Sequence, residues 1–450
     1  MLTPSEIWDS HAIMLKFLRD VTAVACERAA KQRLDRLRRT LRLASSRAGQ
    51  RENTVQTQRL PLEFLAGRVR DAAPSPTLAV SEKARNLKAQ GIDVVDLGGG
   101  DPDFITPENI RRAAADAMNA GDTHYVGSNG TPALKKAIAN KLKTDNGLTY
   151  DPSEIIVTPG GKQALFEAVL ALVEPGVDVM IIEPAWVSYQ PMVELAGGRV
   201  VHVGLDADDN WKITREGLEA HYTPNSRALM VNSPNNPTGR VLEDSEFAAI
   251  VEFARARDLI VLTDEMYEKI IYDGRTHRSI AAFPGMWERT LTFNGLSKAY
   301  AMTGWRIGYV AGPKVFIDEI AKVHSHSVTQ ATSFAQAGGV AALTGPQDFI
   351  GEMVSAWDRR RHLISLGLTG VKGLKLTPAE GAFYGFVDIR ETGLDSTTFA
   401  ANLLEQAHVA VVPGIAFGES SEGHVRLSFA TSDAQLETAV QRLGDHLGWR

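Results

Sequence analysis

The sequence has a single cysteine, Cys26, among its 450 residues. One thiol excludes a disulfide within the chain and fits a reducing compartment, so we expect a cytoplasmic protein. No apolar run reaches the ~18 residues that a transmembrane helix needs, and we expect no membrane partner. Near residue 1 there is no compact apolar segment followed by a small-residue cleavage site, which argues against a secretory signal.

Positive charge is scarce outside the first part of the chain. Residues 1–73 contain 14 Lys and Arg against 8 Asp and Glu, whereas residues 74–450 contain 34 basic and 46 acidic side chains. An acidic surface repels the phosphates of DNA and RNA, so we expect no nucleic acid as the main partner.

Residues 1–73 are predicted to form a basic N-terminal extension that is helical in part and disordered in part. Apolar side chains recur at helical spacing within residues 28–47, and a polar segment without periodicity follows. A solvated amphipathic helix explains this pattern; a nucleic-acid or membrane contact is the alternative. A DNA-binding unit here would make the chain a transcription regulator, but no hairpin signal for a winged helix occurs.

From about residue 74, short β-branched runs alternate with helical segments. Seven of these runs are typical of strands that are buried on both faces of a mostly parallel sheet. In chain order they are EIIVTPGG, DVMIIEPAW, GRVVHVGL, RALMVNSPNN, LIVLTDEMY, TLTFNGLSK and WRIGYVAGP. We predict an α/β fold whose three-layer large domain, residues 113–315, holds a mostly parallel seven-stranded sheet. Residues 74–112 and 316–450 are predicted to form a smaller α+β domain.

Candidate functional residues lie at the ends of these runs, because ligands of open α/β sheets bind beyond the carboxyl ends of the strands. Each residue also has an ordinary explanation, such as a tight turn, a core tryptophan or a helix cap. In chain order the candidates are Gly161, Lys162 and Gln163 at a helix start, then Trp186, Asn236, Asp264, Tyr267, Lys298 and Arg306.

Together these residues supply a glycine-containing anion loop, an aromatic face, an amide, a carboxylate, a phenol, an amine and a guanidinium. Such a set suits a ligand that is phosphorylated, planar and cationic and that carries an aldehyde. Pyridoxal phosphate has these properties and is the expected cofactor; we expect no metal site.

Several separated motifs occur in an order that resembles a known family. NNPTG and DEMY precede NGLSK, AMTGWRIGY follows it, and VRLSFA lies near the C-terminus. Over about residues 74–450 the chain is similar to class I aminotransferases of pyridoxal-phosphate fold type I. Within that family it is most similar to the branch of bacterial aspartate-type and aromatic-type enzymes.

The resemblance implies roles for residues around the cofactor ring. Lys298 would form the Schiff base with the cofactor aldehyde and, as a free amine, would move the substrate proton. Asp264 would pair with the pyridinium nitrogen, and Asn236 and Tyr267 would hydrogen-bond the phenolic oxygen. Trp186 would stack on the ring. A desolvated site flanked by cations would lower the pKa of Lys298.

The same resemblance implies a phosphate site shared between two subunits. Gly161, Lys162 and Gln163 would meet the phosphate at the helix N-terminus, and Arg306 would neutralise it. Tyr125, in HYVGSNGTPAL, resembles a tyrosine that reaches the phosphate of the neighbouring subunit. We therefore expect a homodimer with shared active sites.

Substrate contacts are also implied by the resemblance. Arg426 would clamp the α-carboxylate of the substrate, with Gly100 and Asn236 contacting the same group and Trp186 beside it. We further expect the Asn236–Pro237 peptide bond to be cis.

The predicted reaction moves an amino group from an L-amino acid, namely aspartate, glutamate or an aromatic amino acid, to a 2-oxo acid with ping-pong kinetics. A β-lyase, a decarboxylase or an amino-acid oxidase on the same scaffold would use the same residues, because all begin with the same cofactor chemistry. These activities stay open as alternatives at this point.

Overall fold

The strands form where the sequence places its short apolar runs. A computed structural model describes residues 64–72 and 74–450. Its strands are β1 Val95–Asp96, β2 Ile155–Thr158, β3 Asp178–Glu183, β4 Arg199–Gly204, β5 Ser226–Asn232, β6 Ile260–Asp264, β7 Thr290–Gly295, β8 Gly308–Ala311, β9 Lys375–Leu376, β10 Tyr384–Asp388, β11 Val409–Ala410, β12 Val412–Pro413 and β13 His424–Ser428.

The main sheet has seven strands in the order β2-β8-β7-β6-β5-β3-β4. Strand β8 runs antiparallel to both of its neighbours, and the other strand pairs of this sheet are parallel. All seven predicted runs contribute a strand, so the predicted mostly parallel seven-stranded sheet is confirmed.

The α-helices between and around the strands follow the predicted alternation. Their ends carry local signals: Thr131 accepts a hydrogen bond from the N–H of Leu134 at one helix start, and Gly147 ends that helix with φ of 69°. The helices are Gly67–Arg70, Pro76–Ala89, Glu108–Asn119, Pro132–Asn146, Gly161–Leu172, Tyr189–Leu195, Arg215–His221, Asp244–Ala256, Lys314–Ser327, Ser333–Thr344, Asp348–Thr369, Ser396–Asn402 and Asp433–Leu447.

Helices cover both faces of the main sheet, which gives the three predicted layers. Alternate residues of a strand point to opposite faces. On β3, Val179 and Ile181 belong to the core cluster that includes Leu165 of helix Gly161–Leu172. Met180, between them, belongs to a different cluster with Phe253 of helix Asp244–Ala256. The buried runs are therefore apolar on both sides, as their composition predicts.

The remaining strands form two smaller sheets. Strands β12-β13-β10-β9 make an antiparallel sheet, and β1 pairs in parallel with β11. Residues 65–450 form one compact unit, and its division at residues 113 and 315 stays a prediction. The predicted N-terminal helix and linker lie outside the described residues. None of the described helices is long and apolar enough to cross a bilayer.

Strand register brings the ends of β5 and β6 together. Asn232 and Asp264 are the last residues of these two strands and lie opposite each other.

The predicted cis bond at Asn236–Pro237 is wrong, since the cis peptide bonds of the described residues are Glu183–Pro184 and Ser233–Pro234. The turn after β5 closes instead through Asn235, whose carbonyl accepts a hydrogen bond from the N–H of Gly239 over 2.9 Å.

Replacing Phe253 by Ala tests the packing of helix Asp244–Ala256 on the sheet. Phe253 is fully buried, so we expect the Phe253→Ala variant to lose about 3–5 kcal/mol of unfolding free energy, measured by urea denaturation. The exposed neighbour Arg255 provides the control, and Arg255→Ala should change the value by less than about 0.5 kcal/mol. Equal losses in both variants would contradict this packing.

Candidate active site

A cavity of about 370 Å³ opens at the carboxyl edge of the main sheet. Its size lies within the range of about 300–1,000 Å³ that is typical of small-molecule sites. Ten of the twelve residues proposed from the sequence line it: Gly100, Gly161, Lys162, Trp186, Asn236, Asp264, Tyr267, Lys298, Arg306 and Arg426. Elements far apart in sequence therefore converge on one cavity.

Asp264 brings a carboxylate to the end of a buried strand. Its Oδ2 accepts a hydrogen bond from the hydroxyl of Tyr189 over 2.7 Å, and its Oδ1 accepts one from the N–H of Met266 over 3.2 Å. Burial raises the pKa of Asp264 to about 6, although the hydrogen bond from Tyr189 opposes this rise. The carboxylate is therefore ionised at neutral pH and faces the cavity with a fixed orientation.

Lys298 lies three residues beyond the end of β7, in the connection to β8. Its Nζ contacts the carbonyl oxygen of Gly100. Desolvation is the largest of the effects that together lower the pKa of Lys298 to about 8; Asp101 opposes the shift, and the guanidiniums of Arg426 and Arg306 contribute to it. The direction and both causes agree with the prediction from sequence, and a substantial part of the amine is neutral near pH 8.

Arg426 places a buried guanidinium on β13 in the lining of the cavity. It is 3% exposed. Its Nη1 donates to Oδ1 of Asn236 over 2.9 Å, and its Nη2 donates to the carbonyl oxygen of Gly98 over 2.6 Å. Nε of Arg426 has no hydrogen-bond partner within residues 64–72 and 74–450. A buried cation held by neutral oxygens and with a free donor is a suitable binding group for an anion.

An anion-binding corner forms where helix Gly161–Leu172 begins. The N–H groups of Gly161 and Lys162 lie in its first turn, where a helix has no backbone acceptors for them. Gly160 precedes the helix with φ of 87°, and a Cβ at this position would lie 2.3 Å from Nη2 of Arg306. Only glycine therefore allows Arg306 to approach this helix end.

Aromatic side chains complete the walls of the cavity. The hydroxyls of Tyr267 and Tyr384 share a hydrogen bond of 2.8 Å, and burial raises the pKa of both phenols. The guanidinium of Arg426 lies 4.5 Å from the ring centre of Tyr384. Nζ of Lys162 lies 4.8 Å from the ring centre of Trp186, so the ammonium contacts the tryptophan that was expected to stack on the cofactor.

Two of the proposed residues do not line the cavity. Nε2 of Gln163 donates to Oε1 of Glu167 over 2.8 Å, so this side chain is engaged within its own helix. Tyr125 is 87% exposed. Their predicted contacts with a phosphate, one within the subunit and one across a dimer, stay predictions.

Several lining residues were not found from the sequence. Asn232 could have been selected from the sequence, because it ends an apolar strand just as Asp264 does. Tyr189 begins a helix and Tyr384 begins a strand, so the rule about the carboxyl ends of strands selects neither. Thr77 and Ser81 come from helix Pro76–Ala89, far from the sheet in sequence.

The residues of the cavity fit pyridoxal phosphate. The group needs a carboxylate for its ring nitrogen, an amine for its aldehyde and an anion site for its phosphate. Asp264, Lys298 and the corner formed by Gly161, Lys162 and Arg306 provide these functions around one cavity. The buried Arg426 stands apart from this corner as a second anion-binding group.

Comparisons with known proteins point in the same direction. Residues 92–443 match the family model described as aminotransferase class I and II. The chain is 44% identical over 387 residues to an aspartate aminotransferase of Musicola paradisiaca, covering 85% of this chain and 96% of that protein. It is 43% identical over 394 residues to an aspartate/prephenate aminotransferase of Cereibacter sphaeroides, covering 85% and 98%.

A solved structure has the same fold. The structure of the aspartate aminotransferase from Thermus thermophilus with maleate superimposes with a TM-score of 0.81 at 43% sequence identity. The match covers 85% of this chain and 99% of that chain.

The ionisation of Lys298 can be measured by brief acylation of amines across a pH series, after treatment with hydroxylamine to free the lysine. Labelling of the Lys298 peptide, followed by mass spectrometry, should have its midpoint near pH 8. In Arg426→Leu the midpoint should move to higher pH, because removing a nearby cation favours the ammonium form. A wild-type midpoint near the ordinary lysine value of 10.5 would contradict the desolvated site.

Proposed function

The chain belongs to the aminotransferase class I and II family, and on that premise we propose that it transfers the amino group of L-aspartate or L-glutamate to a 2-oxo acid. The observation that carries the proposal is the convergence of Lys298, Asp264 and Arg426 on one cavity. Relatives named aspartate aminotransferase support a dicarboxylic amino donor.

Transamination is favoured over the alternative activities. Aspartate and aspartate/prephenate aminotransferases resemble this chain over about 85% of its length, which confirms the predicted family and enzyme class. The β-lyase, decarboxylase, oxidase and regulator alternatives have no comparable support from these relatives.

Pyridoxal phosphate, when bound, supplies an aldehyde that takes up an amino group and a ring that accepts the electron pair of a broken C–H bond. Asp264 would hold the ring nitrogen, because its carboxylate is fixed by Tyr189 and is ionised at neutral pH. Asn236 and Tyr267 would bind the phenolic oxygen, and Trp186 would lie against the ring.

The phosphate would lie at the start of helix Gly161–Leu172. The N–H groups of Gly161 and Lys162 would donate to its oxygens, and the guanidinium of Arg306 would offset its charge. Burial and the charge of Arg306 also lower the pKa of Lys162, so a bound anion would favour the charged form of this lysine.

Lys298 would hold and move the substrate proton. As a neutral amine, Nζ would take the proton from Cα of the amino acid, and as an ammonium it would give a proton back. The lowered pKa of Lys298 makes both forms accessible near neutral pH. The burial of Lys298 would keep water away from the proton that it moves.

Arg426 would bind the α-carboxylate of the substrate and so orient its Cα–H bond toward Lys298. The guanidinium has an unpaired Nε, and its Nη groups donate to neutral oxygens, so a carboxylate could engage its donors in pairs. Gly100 and Asn236 would contact the same carboxylate. The carbonyl oxygens that now accept from Arg426 are neutral, so an anion is a better partner.

We also propose that two chains form a homodimer with shared active sites. The support is the position of Tyr125, whose phenol is 87% exposed and does not contact the cavity of its own chain. In the dimer, Tyr125 would reach the phosphate bound by the partner. A cytoplasmic location stays a prediction.

Transamination and its donors can be tested with a panel of amino acids and 2-oxo acids on the purified enzyme. We expect L-aspartate with 2-oxoglutarate to give the highest kcat/KM, and product formation to require the 2-oxo acid. Lys298→Ala should lower kcat by at least about 10⁴-fold while leaving the fold intact by circular dichroism. Product formed without a 2-oxo acid would contradict transamination.

Substitution of Arg426 by Lys separates substrate binding from cofactor binding. Lysine keeps the charge but loses the paired donors, so KM for the amino acid should rise about 10- to 100-fold. Binding of pyridoxal phosphate, measured by absorbance titration, should change less than about threefold. Arg255→Lys, at an exposed site that does not line the cavity, serves as the control and should change neither value. An unchanged KM in Arg426→Lys would contradict the carboxylate assignment.

A further inference from the structure

A buried carboxylate–imidazole pair lies outside the lining of the cavity and takes no part in the chemistry above. Glu167, on helix Gly161–Leu172, and His324, on helix Lys314–Ser327, are both fully buried. Nδ1 of His324 lies 2.8 Å from Oε2 of Glu167. Burying a carboxylate and an imidazole is costly unless each is paired, so each side chain needs the other as a partner.

The pair connects the start of helix Gly161–Leu172 to the loop that contains Ser128. Nε2 of Gln163 donates to Oε1 of Glu167 over 2.8 Å, and the hydroxyl of Ser327 donates to the same oxygen over 2.5 Å. On the far side, Nε2 of His324 lies 3.1 Å from the carbonyl oxygen of Ser128. Because a carbonyl only accepts, this ring nitrogen donates.

The loop reached in this way is the one that carries Tyr125. Two further hydrogen bonds hold it to the segment just after the helix of His324. The N–H of Val126 donates to Oε1 of Gln330 over 2.5 Å, and the hydroxyl of Ser128 donates to the carbonyl oxygen of Thr329 over 2.7 Å. The exposed Tyr125 is thus followed by Val126 and Ser128, which hydrogen bonds hold to the helix of His324 and the segment after it.

We propose that Glu167 and His324 are positioning residues that set the Tyr125 loop relative to the helix that begins at Gly161. The inference rests on the proposed function, in which that helix binds one phosphate and Tyr125 reaches the phosphate of the partner subunit. The pair would then align two parts of one chain: the helix that binds its own phosphate and the loop whose Tyr125 reaches the phosphate of the partner subunit. Gln163 lies at one end of this connection, and Ser128, three residues beyond Tyr125, lies at the other.

A double-mutant cycle on the holoenzyme tests the proposal. In His324→Asn, the amide nitrogen replaces Nδ1 and still satisfies Glu167, whereas the donor to Ser128 is lost. The readout is the dissociation constant of pyridoxal phosphate, measured from the release of the cofactor when the holoenzyme is diluted. We expect Tyr125→Phe and His324→Asn each to weaken binding about tenfold, and the double variant to be no weaker than Tyr125→Phe alone.

Two matched controls separate positioning from general stability. Glu167→Gln keeps every hydrogen bond of the connection, because its amide can donate to Nδ1 of His324, and should bind the cofactor within about twofold of wild type. His326→Asn changes an exposed histidine on the same helix and should have no effect.

The outcomes are distinct. The positioning role would be overturned if the losses of cofactor affinity in His324→Asn and Tyr125→Phe multiplied in the double variant. Normal cofactor affinity in His324→Asn would overturn it too. Transamination would stand in both cases. Normal affinity in Tyr125→Phe would remove the shared phosphate contact and the inference with it. A wild-type enzyme that neither binds pyridoxal phosphate nor transaminates would overturn the proposed function itself.

Discussion

The site depends on charged side chains that are buried away from water and therefore need partners within the protein or a ligand. Asp264 ends a strand that is buried on both faces, so its carboxylate needs the hydroxyl of Tyr189 and the N–H of Met266. The same exclusion of water lowers the pKa of Lys298 and leaves Arg426 with neutral oxygens as its only partners in the described chain. Of these three groups, Arg426 keeps one donor, Nε, without a hydrogen-bond partner in the described chain, and a bound anion would supply one.

Much of the architecture could be predicted because the main sheet is buried on both faces. Its strands then appear in the sequence as continuous apolar runs, and all seven were identified. Asp264 and Lys298 were found by the rule that ligands bind beyond the carboxyl ends of strands. Arg426 followed from the resemblance alone, since it lies inside β13, where the rule does not apply.

The rest depends on packing that a single sequence does not display. Tyr189 reaches Asp264 only because helix Tyr189–Leu195 packs beside the end of β6. The side chain of Gln163 has a partner four residues ahead in its own helix, a spacing that is visible in the sequence but competes with a ligand contact. The predicted cis bond at Asn236 was wrong because the turn has two prolines, and the bond before Pro234 is cis instead.

Gly160 shows how two independent requirements can act on one position. Its positive φ disfavours any side chain on backbone grounds, and the guanidinium of Arg306 occupies the space where a Cβ would lie. A smaller residue in place of Arg306 would relieve the second requirement but not the first. Glycine should therefore remain favoured at position 160 even in descendants that have lost the arginine and no longer bind an anion at this corner.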